Sequence, residues 1–131
     1  MLRPALPLTT GRLVLRPFEP GDLKDVWTYQ RQPEVARYML WEPRSRRQCQ
    51  VVVDRMVTEN CLVKEGDCLS LAVVWPGERR VVGEVELVWH SRHSRQGEVG
   101  YVLNPAYQGS GMATEAVRAL LRWAFDDLDL H

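Results

Sequence analysis

One junction constrains this chain more than any other stretch of it. Residues 98–103 read as an apolar strand, and residues 114–128 carry a strong helical stripe. Directly before that helix stand Gln108, Gly109, Ser110, Gly111, Met112 and Ala113. At a helix start the first backbone N–H groups have no acceptor inside the helix, and the helix dipole adds partial positive charge. An anion, most often a phosphate, is the natural guest. Gly109 and Gly111 carry no Cβ, so the backbone turns tightly and comes close to that guest. A Walker-type loop needs a lysine after its last glycine, and Met112-Ala113 offers none. A dinucleotide fingerprint needs a small residue where Thr114 sits, and belongs near a first strand with an acid about 20 residues on.

Periodicity sets out the rest. Residues 1–10 hold two prolines and read as a loose arm. Residues 12–18 alternate as a strand, with Leu13, Leu15 and Pro17 against Val14, Arg16 and Phe18. Asp22 is placed to cap a helix that carries Leu23, Val26 and Trp27 and runs to about Gln32, before Pro33. Residues 33–38 form a further turn. Ser45 and Gln48 spell a capping box. Behind it Cys49, Val52, Val53, Met56, Val57, Asn60 and Cys61 follow helical spacing.

Three strands come next, 68–75, 80–90 and 96–103, as an antiparallel meander. In the middle one Val81, Gly83, Val85, Leu87 and Trp89 share a face, against Val82, Glu84, Glu86, Val88 and His90. In the last helix Ala116, Val117, Leu120, Leu121, Ala124, Phe125 and Leu128 form the stripe predicted to be buried. The order is strand, two helices, three strands, helix. It predicts one α+β domain over residues 1–131, with helices on a largely antiparallel sheet.

Composition excludes several functions. Seventeen basic and seventeen acidic side chains cancel, so nothing global drives the chain onto nucleic acid or an anionic membrane. No apolar run approaches membrane-spanning length, and no apolar segment follows Met1-Leu2-Arg3-Pro4, so a cytoplasmic protein is expected. The 3 cysteines, Cys49, Cys61 and Cys68, lack metal-site spacing and read as free thiols; no metal is expected. His90 and His93 read as surface residues. The cluster Arg44, Arg46 and Arg47 opposes the dipole at its helix start and reads as a solvated face, with an anionic ligand or partner as the lesser alternative.

The glycine turn and the element order resemble the GNAT superfamily of acetyl-coenzyme A dependent N-acetyltransferases, whose turn has the pattern Q/R-x-x-G-x-G/A. Gln108 to Ala113 fit each fixed position. Residues 10–17 (TGRLVLRP), 33–39 (PEVARYM), 98–105 (EVGYVLNP) and 113–116 (ATEA) are similar to the RimJ/RimL, ribosomal-protein-type branch. The resemblance runs from about residue 10 to the last residue.

The resemblance implies a GNAT-like mixed, largely antiparallel sheet flanked by helices. It also implies a mechanism. Backbone N–H groups of Gln108, Gly109, Ser110, Gly111, Met112 and Ala113 would hold the pyrophosphate of acetyl-CoA. The pantetheine arm would pair with Tyr101, Val102 and Leu103 as an added strand, and a backbone N–H there would polarise the thioester carbonyl. The acceptor is a primary amine, a protein N-terminus or a small molecule. At pH 7 roughly a tenth of α-amines are neutral but only about one lysine in a few thousand, so a base is needed most for the latter. Glu98 is the first candidate base and Glu86 the second, with a duller surface or structural role as the alternative for each. The family domain continues with a further strand, helix and strand, so the chain is expected to be C-terminally truncated. The alternative to an active enzyme is a shortened, inactive relative that binds coenzyme A, completed by a second copy as a homo-oligomer. A third reading is an α+β module whose glycine turn binds nothing.

Overall fold

A computed structural model of the protein describes residues 2–91 and 93–127. Five strands form one sheet: β1 (Leu8–Thr9), β2 (Val14–Pro17), β3 (Cys68–Trp75), β4 (Arg80–Ser91) and β5 (Gln96–Leu103). They lie in sequence order, and every neighbouring pair is antiparallel. Four helices flank the sheet: α1 (Leu23–Gln30), α2 (Pro33–Met39), α3 (Arg46–Thr58) and α4 (Met112–Asp127). The predicted α+β class and the bounds of β3 and β5 hold.

The sheet separates two cores. On one face Leu69, Leu71, Val73, Val85, Leu87 and Leu103 pack with Ala116, Leu120, Trp123 and Ala124 of α4. On the other, Ala72, Val81 and Val102 meet Leu23, Val26 and Tyr29 of α1, Val35 of α2, and Cys49, Val53 and Met56 of α3. Each fully buried aliphatic side chain contributes about 1.5–3 kcal/mol.

Several expectations are corrected. Strict alternation in β4 fails at Val82. Val73 pairs with Gly83 but Val74 with Val81, so Val82 is an extra residue in the ladder. This bulge puts Val82 with Val85 and Leu87 in the α4 core, and Val81 in the core of α1–α3. Residues 33–38, expected as a turn, belong to helix α2, where Pro33 takes a first-turn position that needs no N–H. Asp22 does not cap α1 with its side chain. Instead its carboxylate pairs with Arg16 through two bonds of 2.9 and 2.8 Å and accepts the Glu19 N–H at 2.8 Å. The Ser45–Gln48 capping box is present, with bonds of 2.9 and 3.1 Å, but α3 ends at Thr58 and leaves Asn60 and Cys61 outside it.

In α4, Phe125 is 50% exposed while Trp123 is buried at 7%, so the stripe is rotated toward Trp123; Leu128 lies outside the described residues. The arm is not loose. Leu2 bridges Leu62, and β1 pairs with β2. All three cysteines are free. Burial raises the Cys49 thiol to about 11 and the Cys68 thiol to about 12, so both stay protonated at neutral pH.

Candidate active site

The glycine turn is anchored from three sides. Below it, the buried Asn104 donates its N–H to the Val82 carbonyl at 2.7 Å, and its Oδ1 caps the short turn Pro105–Tyr107 through Ala106 N–H at 3.0 Å. Within it, Ser110 Oγ donates to the Tyr107 carbonyl at 3.1 Å. Above it, Glu115 in the first turn of α4 accepts from Thr10 Oγ1, from Arg12 N–H at 2.9 Å and from Arg12 Nε at 2.9 Å. These bonds hold the Glu115 carboxyl below its ordinary range, the Thr10 hydroxyl contributing most. Two of the stretches that carried the resemblance, 10–17 and 113–116, are therefore bonded to each other.

Between these anchors the backbone takes left-handed values, φ 86° at Gly109 and 80° at Gly111. A Cβ on Gly109 would meet nothing within 4 Å, and one on Gly111 would stand 3.5 Å from Arg12 Nη2. The turn is thus open, exposed and flanked by a guanidinium, which suits an anion approaching the α4 start.

A cleft of about 430 Å³ opens beside it. Its walls are Tyr101, Val102 and Leu103 of β5, Gln108, Gly109, Gly111, Met112 and Ala113 of the turn, and Glu34, Val35, Tyr38 and Met39 of α2. The sequence-predicted coenzyme residues are brought together, except that Ser110 does not line the cleft. The α2 wall was not among the predicted coenzyme residues; its sequence signal was the family-like stretch at residues 33–39.

The candidate bases are placed differently. Glu98 sits toward the outer end of β5, its side chain 72% exposed, with Oε2 2.9 Å from His90 Nε2. It does not line the cleft. Glu86 is half-buried and pairs with Gly100 across β4 and β5. A Cβ on Gly100 would stand 3.8 Å from its Cγ, so the side chain lies over that glycine. Cys68 Sγ donates to its Oε2 at 3.5 Å. The sequence reading also passed over Glu84, which is 6% exposed and lies opposite Val102. Tyr29 Oη donates to its Oε2 at 2.7 Å and Gln30 Nε2 at 3.1 Å. Desolvation outweighs these bonds and raises the carboxyl from an ordinary 4.5 to about 7.

Arg44, Arg46 and Arg31 stack on indole rings. Arg44 lies 3.7 Å from the centre of Trp41, and Arg31 and Arg46 lie 4.7 and 5.8 Å from that of Trp27. Among the described residues, no three His, Cys, Asp or Glu form a group able to hold a metal ion, and no helix is long and apolar enough to cross a membrane.

Residues 12–131 match the Acetyltransferase (GNAT) domain family, and the chain belongs to it. Its enzyme class is that of the N-acetyltransferases. It is 29% identical over 129 residues to the uncharacterized N-acetyltransferase YnaD of Bacillus subtilis, covering 95% of this chain and 68% of that protein. It is 31% identical over 125 residues to the spermidine N(1)-acetyltransferase of Escherichia coli, covering 89% of this chain and 59% of that protein. Among solved structures, a GNAT-family acetyltransferase from Bacillus anthracis superposes with a TM-score of 0.79 at 27% identity, over 95% of this chain and 69% of that one.

Proposed function

We propose that this chain transfers an acetyl group from acetyl-CoA to a primary amine in the cytoplasm, as an enzyme of the RimJ/RimL type. The observation that carries this is the cleft. In it an open, left-handed glycine turn at a helix start meets three residues of β5, a strand whose only sheet neighbour is β4 among the described residues. The turn would hold the pyrophosphate and the free edge of β5 the pantetheine arm. The coenzyme brings the activated acyl group. The chain's own residues bind it, orient its carbonyl toward β5 and accept the amine's proton.

For that last role Glu86 now ranks ahead of Glu98. Glu86 lies over Gly100, next to the cleft residue Tyr101, whereas Glu98 is engaged with His90 at the solvent. A polyamine acceptor is the second reading, favoured by the 31% identity to a spermidine acetyltransferase.

The test is thiol release from acetyl-CoA with a panel of N-terminal peptides, polyamines and lysine. Turnover with one class identifies the acceptor. Glu86→Gln is expected to lower kcat on the order of a hundredfold, and more for a lysine-like amine than for an α-amine. Full activity in Glu86→Gln would remove Glu86 from the mechanism. Binding without turnover would select the inactive coenzyme A binder.

A further inference from the structure

The outer wall of the cleft is an excursion of the chain whose two ends meet at one residue. Residues 31–43 hold helix α2, the two residues that lead into it and the loop after it. At the near end, Gln30 closes α1, only three residues before Pro33. At the far end, Arg44 returns to the same place. Its backbone N–H donates to the Gln30 carbonyl at 3.2 Å, and its Nη1 to Gln30 Oε1 at 2.7 Å. Gln30 is fully buried, and its remaining amide group reaches Glu84 on β4. Tyr29, the residue before it, is also fully buried and donates to the same carboxylate. The excursion carries Glu34, Val35, Tyr38 and Met39 to the cleft, and holds Tyr38 and Leu40 out in solvent at 76% and 93% exposure.

We propose that Glu84 is a positioning residue: acting through Gln30 and Tyr29, its carboxyl group clamps the base of the 31–43 excursion to the sheet and so seats the α2 wall of the cleft. Glu84 does not itself line the cleft; its role is to fix where α2 stands relative to β5. The part concerning ligand affinity rests on the coenzyme reading above, whereas the clamp itself does not.

The clamp carries a pH dependence whose sign follows from burial. The groups facing Glu84 are Tyr29 from α1, Arg44 from the returning loop, Cys49 from α3 and Glu86 two residues along β4. Tyr29 and Cys49 stay protonated at neutral pH. The Tyr29 and Gln30 hydrogen bonds and Arg44 favour the ionised carboxylate, and desolvation and Glu86 oppose it, with desolvation dominant. An opened base would let water reach the carboxylate and lower its proton affinity. The seated form therefore holds the proton more tightly, and raising the pH through 7 loosens the wall.

The experiment is amide hydrogen exchange on the ligand-free protein, corrected for intrinsic chemistry, at about pH 6 and about pH 8, with acetyl-CoA calorimetry alongside. Glu84→Ala is expected to speed exchange in residues 33–43 about tenfold while the amides of β3 and β4 keep their protection. If the seated wall falls to about a tenth of the population, affinity for acetyl-CoA falls about tenfold. Wild-type exchange in 33–43 quickens from the lower to the higher pH, and Glu84→Gln, which keeps an acceptor for Tyr29 but cannot ionise, removes that change. Should Glu84→Ala not fold, Arg44→Met releases the same base from the solvent side and is expected to give the same local acceleration. Unchanged exchange in 33–43, acceleration spread evenly over the molecule, or a pH response that survives in Glu84→Gln overturns the clamp. Failure of wild type to bind acetyl-CoA overturns the coenzyme reading instead, and leaves the exchange data to decide the clamp.

Discussion

Gly111 shows how much a single position carries. Its φ of 80° is a conformation in which an L side chain is strained, and a Cβ there would stand in ordinary contact, 3.5 Å, with Arg12 Nη2. Gly111→Ala is expected to cost about 1–2 kcal/mol in denaturant unfolding, with Gly109→Ala at the low end because its site is open. Equal stability of all three proteins would contradict the left-handed turn. Glu84 gives the second prediction at this scale. Its folded-state value of about 7 exceeds the ordinary 4.5, so the folded protein binds the extra proton between those values. The stability it contributes is complete below pH 4.5 and is lost as pH rises through 7, by about 3 kcal/mol. Glu84→Gln should flatten that part of the stability profile; a profile identical to wild type would show that Glu84 does not titrate there. The glycine turn was legible because glycine itself signals the backbone it permits. Glu84 was not, because its burial depends on Tyr29, a partner 55 residues away in sequence.

The elements were legible where a pattern is local. The Ser45 capping box and the bounds of β3 and β5 follow from neighbouring residues alone. The errors arise where tertiary contacts intervene. The bulge at Val82 exchanges faces within β4, and alternation carries no sign of an extra residue. The α4 stripe turns toward Trp123 because that face meets the sheet, leaving Phe125 at the surface. Trp123→Ala should therefore cost about 3 kcal/mol in thermal or denaturant unfolding, and Phe125→Ala under about 1; the reverse order would restore the sequence-derived stripe. The N-terminal arm was misread because two of its partners, Leu62 for Leu2 and Glu115 for Thr10, lie far along the chain. Glu115→Ala should cost about 1 kcal/mol and release residues 10–13, read as faster amide exchange there than in β3. Unaltered exchange in 10–13 would mean that Glu115 does not hold the arm.

At the scale of the molecule, strand and helix order alone led to an α+β sandwich, and the family match over residues 12–131 agrees with it. The cleft was legible by halves. Its β5 and turn walls are contiguous in sequence, from Tyr101 to Ala113, whereas the α2 wall arrives from residues 34–39 by way of the buried Gln30–Glu84 contact. A balanced charge of 17 basic and 17 acidic groups leaves recognition to this local geometry rather than to a global field. The central claim is that backbone amides at the start of α4 hold a diphosphate. Calorimetry of acetyl-CoA binding to wild type and Gly111→Glu, with both folds verified by circular dichroism, tests it most directly. Saturable one-to-one binding by wild type and a loss of at least about tenfold in the variant are predicted; no binding by wild type, or equal affinity in a folded variant, would contradict it.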